Sequence, residues 1–198
     1  MFRSWAIGAG LILAIAVPLV LASFSPLLQW RDPIYIGSGL AGILAMGLML
    51  VQPVLAAGYL KQFSRVTSRH VHRVVGIVLV LAVMGHVVGL WITSPPDVID
   101  VLLFRSPTPF SVWGALAMWA LFAAALFALL RKPLKVPPRI WRRGHAALTS
   151  IAIAGTVVHV LLIEGTMEQT TKIILSILAV VVAIKAMLDL RIFPLWRS

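Results

Sequence analysis

The chain has 198 residues, 61% of them hydrophobic and only 12% charged, with a net charge of +11 and a mean hydropathy of +1.01. A soluble domain of this size carries about half apolar and about a quarter charged residues, so lipid is the natural solvent here. The chain has no cysteine, which excludes disulfides, iron–sulfur clusters, thiolate-held zinc and the covalent attachment of a c-type haem.

A spanning helix needs roughly 20 mostly apolar residues, and six segments meet that need: 5–24, 34–59, 71–93, 111–130, 143–163 and 171–190. The first begins almost at Met1 without a small-residue cleavage site, and reads as an uncleaved span. Pro18 lies inside the first and Pro53 inside the second; both should kink their helices. The second span also holds Gly37, Gly39 and Gly42 in a G-x-G-x-x-G arrangement. With no strand before it and no acid about 20 residues on, this reads as a chance match rather than a nucleotide loop. The 94–110 connection, with Pro95, Pro96, Pro107 and Pro109 among Trp91, Phe104 and Phe110, should lie along the outer interface, where amphipathic aromatics settle. Lys185 and Asp189 of the last span stand four apart, close enough to pair. The expectation is an all-α, single-domain, six-helix integral membrane bundle covering 1–198.

Charge sets the orientation. One side receives Arg3, Lys61, Arg65, Arg69, Arg73, Arg131, Lys132, Lys135, Arg139, Arg142, Arg143, Arg191 and Arg197. The other has Arg31, Arg105 and Lys172 with the acids Asp32, Asp97, Asp100, Glu164 and Glu168. The positive-inside rule puts both termini in the cytoplasm of a bacterial inner-membrane, multi-pass protein. Charges placed at span ends in this way argue against nucleic-acid binding.

Five histidines occur, at 70, 72, 86, 145 and 159, and an ionisable residue within a span is by default a functional candidate. His72 and His86 are 14 apart on the third span, and His145 and His159 are 14 apart on the fifth. Fourteen residues at about 100° each fall about 40° short of four turns, so each pair leaves one helix face. At about 1.5 Å per residue its members are about 21 Å apart in a ~30 Å core. His70 is turned about 160° from His86 and fails this test. The two spans run parallel, so His72 matches His145 in depth near the cytoplasm and His86 matches His159 near the outer side. Two facing pairs stacked along the membrane normal suit two bis-imidazole haems, each with one ligand above and one below. Zinc or copper is the rival, since imidazole also suits those metals.

Gly76, four after His72, and Gly155, four before His159, lie on the ligand faces, where a flat macrocycle needs room. Gly85, Gly89 and Gly144 are also close to the histidines; small residues at such spacings equally serve close helix packing. Arg69, Arg73, Arg142 and Arg143 flank the inner pair, and Arg binds carboxylates strongly. Arg73, directly after His72, is the first candidate for a haem propionate. Met84 faces away from His86. Glu164, five past His159, faces outward and could dock a partner or carry a proton.

At "RHVHRVVG", "MGHVVG" and "IWRRGHAALTS" followed by the His159 segment, the chain resembles the ferric-reductase-like transmembrane superfamily. That family includes the haem domains of NADPH oxidases and metalloreductases and the bacterial haem subunit serving periplasmic methionine sulfoxide reductase. The resemblance spans all six helices, its specific part being 69–93 and 139–160. It implies that His72, His86, His145 and His159 hold two non-covalent b-type haems, and Trp141 matches a tryptophan often seen in the bacterial subunits. Oxidases and metalloreductases continue into a flavin and nicotinamide domain, whereas this chain stops at Ser198, so its donor should be a separate partner. The expected function is transmembrane electron transfer by the haem subunit of an oxidoreductase. Electrons would come from a cytoplasmic flavin reductase carrying FMN or FAD, or from quinol, and go to a periplasmic reductase, ferric iron or oxygen. The alternatives are a quinol-linked diheme cytochrome of the b561 type and a non-haem, proton-coupled transporter.

Overall fold

The computed structural model describes residues 2–192; Arg197, counted above with the cytoplasmic charges, lies outside them. The described residues form helices and connecting turns, with no strand. They are α1 (Phe2–Ser23), α2 (Pro33–Ala57), α3 (Arg65–Thr93), the short α4 (Pro95–Leu102), α5 (Ser111–Leu130), α6 (Pro138–Leu162) and α7 (Gln169–Asp189). All but α4 are long and apolar enough to cross a membrane, and the chain is a multi-pass, all-helical bundle.

Local chemistry sets the ends. Asp32 caps α2 by accepting the Ile34 N–H at 2.7 Å, with Pro33 at the first helical position, where its missing N–H costs nothing. The same helix stops at Gly58, whose φ of +69° is the left-handed conformation glycine adopts freely. Glu168 caps α7, its carboxylate accepting the N–H groups of Thr170 and Thr171 at 2.9 and 2.8 Å. Those bonds, that from Thr170 foremost, hold its carboxyl below the usual range.

Two boundaries differ from the sequence reading. Helix α3 starts at Arg65 rather than 71, because Ser64 caps it by accepting the Thr67 N–H at 3.0 Å. Its first turns are too polar for a hydropathy criterion to include. Helix α6 likewise begins at Pro138, five residues before the expected 143. Within the 94–110 connection, Pro95 opens the two-turn helix α4.

The architecture is two antiparallel hairpins, α2 with α3 and α5 with α6, flanked by α1 and α7, which pack on α2. Helices α3 and α6 hardly touch each other. The hairpins meet in one apolar cluster of Ala45, Met49, Leu79, Ala120, Leu121 and Ala152. Leu79 is 3% and Ala152 1% exposed, and each stands seven residues from both histidines of its helix. The bundle is therefore closed midway between the histidine levels. Leu79→Ala removes a buried leucine side chain from that layer; a loss of about 2–5 kcal/mol is expected, read as a lower unfolding temperature in detergent. Near the C-terminal ends of α2 and α7, Tyr59 donates to Asp189 at 2.6 Å, Lys185 pairs with Asp189 at 2.7 Å, and Arg142 donates to the Leu190 carbonyl at 2.6 Å. The Lys185–Asp189 pair thus forms as its spacing predicts.

Candidate functional site

All four spaced histidines are half-buried, and their rings turn toward the neighbouring helix of their own hairpin. His86 Nδ1 lies 2.8 Å from the Ser38 carbonyl and His72 Nδ1 3.2 Å from the Gln52 carbonyl, both on α2. On the other hairpin, His159 Nδ1 lies 2.8 Å from the Phe110 carbonyl at the cap of α5. His145 Nδ1 turns toward the Ala124 carbonyl, but completes no hydrogen bond. The acceptors carry the same spacing as the histidines: Ser38 and Gln52 are 14 apart, as are Phe110 and Ala124. An antiparallel hairpin in fixed register brings two such series together.

A carbonyl oxygen only accepts, so a ring bonded to it carries its proton on Nδ1. The Nε2 lone pair is then free and points to the far side of the ring, away from the carbonyl helix. Leu79 of α3 and Ala152 of α6 meet in one layer, each midway between the two histidines of its helix, so the four histidines fall at two levels, one on either side of that layer. Among the described residues, no three His, Cys, Asp or Glu side chains converge. A centre drawing three or four protein ligands, as zinc commonly does, is not assembled here.

Two glycines make the close approach of the rings at the His86–His159 level. A Cβ at Gly42 would stand 2.9 Å from His86 Nδ1, and one at Gly114 2.7 Å from His159 Nδ1. Gly42 is four residues after Ser38 and Gly114 four after Phe110, beside the very carbonyl that the ring must reach. Phe110 also meets the His159 ring edge-on at 5.7 Å. Gly76 and Gly155 fill a different place. A Cβ on Gly76 would meet the Gln52 side chain at 3.3 Å, and one on Gly155 the Trp113 carbonyl at 2.9 Å. They are contacts between the helices of a hairpin.

At the other level the Gln52 amide also reaches His72. Turned with its nitrogen toward the ring, it donates to Nδ1 at 2.6 Å and accepts the Gly76 N–H at 2.7 Å; this bond and an Nδ1–H donated to the Gln52 carbonyl are alternatives, because one ring nitrogen cannot donate and accept at once. Trp141 stacks on His145, centroids 5.4 Å apart and planes 14° apart, and the Arg131 guanidinium sits 4.3 Å over the indole. His70, Arg73, Met84 and Glu164 are exposed. Lys172, grouped above with the outer loop charges, is instead 3% exposed, its Nζ donating to the Ile163 carbonyl at 2.8 Å.

Sequence reasoning missed Ser38, Gln52, Phe110, Gly42 and Gly114. The one available signal was a glycine or other small residue recurring on the helix that precedes each histidine helix. No family model, curated protein or solved structure matches the chain.

Proposed function

We propose that this chain is a b-type haem subunit of the ferric-reductase-like transmembrane class, which passes electrons across a bacterial inner membrane with both its termini in the cytoplasm. The observation that carries the reading is the Nδ1–H···O=C bond of His86 and of His159. Histidines that ligate metal through one ring nitrogen almost always give the other N–H to a carbonyl or carboxylate, which fixes the ring and raises its basicity.

The residues present fit haem. Each level offers two imidazoles with no thiolate in the chain, carried on helices that hardly touch each other. His72 and His145 would hold the haem at the cytoplasmic level, His86 and His159 the one at the outer level. Bound there, haem supplies a one-electron iron couple. The chain's own part is to fix the rings through Ser38, Gln52 and Phe110, to keep the middle dry through Leu79 and Ala152, and to present Arg73 toward a propionate. Like-signed arginines at the cytoplasmic end suit an acidic flavoprotein carrying FMN or FAD; quinol is the other candidate donor, and a periplasmic reductase, ferric iron or oxygen the acceptor.

Purified protein loaded with haem should give two b-type haems per chain in a pyridine haemochrome assay. NADH or NADPH alone should leave it oxidised, and a flavin reductase with its nicotinamide should reduce it, more slowly as salt rises. Reversing the charge of Arg139 and Arg143 should slow that step without loss of haem; Arg142 is left alone because it binds the Leu190 carbonyl. Protein that stays colourless after loading would favour the transporter, and reduction by nicotinamide alone would remove the need for a partner.

A further inference from the structure

The two histidine levels are not built alike. At the His86–His159 level both rings have short bonds, 2.8 Å, to a carbonyl. At the His72–His145 level one bond is 3.2 Å and the other is not made. The residue four after each acceptor also differs between the levels: Gly42 and Gly114 stand against the rings of the close pair, and Ala56 and Ala128 hold the corresponding sequence positions for the loose pair. The loose level has a second distinguishing feature, the stack in which Arg131 covers Trp141 and Trp141 covers His145.

We propose, resting on the haem reading above, that the His72–His145 level holds its iron at the higher reduction potential, with Trp141 and Arg131 as the positioning residues that keep it there. A ligand imidazole that gives up Nδ1–H strongly gains imidazolate character, donates more density to iron and favours the ferric state. That lowers the potential of the His86–His159 level. Where the Nδ1–H bond is weak or absent, this stabilisation of ferric iron is missing. The Arg131 guanidinium is always charged, and cation–π attraction holds it over the indole that stacks on His145. A fixed positive charge favours the state with one positive charge fewer, which is ferrous. Arg69, Arg73, Arg139, Arg142 and Arg143 at this end of the bundle act in the same direction, while at the other end Glu164 and Glu168 lower the potential and the buried Lys172 partly offsets them.

The test is a potentiometric titration of the haem-loaded protein in detergent, followed at the α-band, where two one-electron waves are expected. His145→Ala protein should keep the lower wave and His159→Ala protein the upper one. Trp141→Leu and Arg131→Gln should keep both haems and lower only the upper wave, with Arg131→Lys restoring most of the shift. An upper wave that survives in His145→Ala protein overturns the proposal, as does a Trp141→Leu or Arg131→Gln shift confined to the lower wave. Should either positioning variant fail to fold, the two histidine variants still decide the order. Absence of haem from the wild-type protein is a different result, because it removes the haem reading itself.

Discussion

Alanine at His72 or His145 should leave one haem per chain in place of two, and alanine at His86 or His159 should remove the other haem instead. Each level has its own two imidazoles, and the levels are separated by the closed layer around Leu79 and Ala152. With haem bound, losing one of the two imidazoles would leave it held by a single histidine, so the loss should be near complete at that level. The measurement is the haem-to-protein ratio by pyridine haemochrome, with circular dichroism to check that the bundle persists. His70→Ala is the control: its exposed ring should leave both haems bound. If His70→Ala loses haem, the ligand set is wrong. If every single variant loses both haems, the two levels are one coupled site.

Gly42→Ala and Gly114→Ala should weaken haem binding at the His86–His159 level by about 10–100-fold, the usual penalty for disturbing the partner of a metal-ligating histidine. The added Cβ would lie 2.9 Å from His86 Nδ1 or 2.7 Å from His159 Nδ1. The ring must then retreat from its carbonyl, or helices must part in a core that resists overpacking at about 1–3 kcal/mol. Gly37 and Gly39 belong to the same glycine series as Gly42, but a Cβ at either meets nothing within 4 Å. Gly37→Ala should therefore keep both haems, and helix propensity favours alanine over glycine by up to about 1 kcal/mol. Titrating apo-protein with haemin and following the bound absorbance separates the variants. Equal affinity for Gly37→Ala and Gly42→Ala would mean that the carbonyl bond is not needed.

The spans and the histidine pairs were legible in the sequence because both depend on periodicity within a single helix. Hydropathy found all six crossing helices, and the 14-residue spacing placed His72 with His86 and His145 with His159 on common faces. What could not be read depends on register between helices. Ser38, Gln52, Phe110 and Ala124 act through backbone carbonyls, which any residue type supplies, and their common spacing has meaning only once α2 lies antiparallel to α3 and α5 to α6. Gly42 was visible but was attached to the wrong question, as the third glycine of a phosphate-loop pattern. Trp141 was noted for its place four before His145; its stacking, and the Arg131 above it, required the loop before Pro138 to fold back. Lys172 was grouped with the loop charges because one basic residue near a span end looks solvated; the Ile163 carbonyl gives it a buried partner.

The layer of Ala45, Met49, Leu79, Ala120, Leu121 and Ala152 has an electrical consequence. None of these side chains can hand on a proton, so on the proposed reading an electron passing this layer leaves without a compensating charge. Each turnover would then displace net charge across the membrane and be sensitive to voltage. With the cytoplasm negative, outward transfer runs down the field, by about 2.3 kcal/mol per 100 mV for a charge that crosses it fully. Such a drop could carry electrons from a higher-potential inner level to a lower-potential outer one, so that the resting membrane itself would supply the downhill direction that the two sites lack.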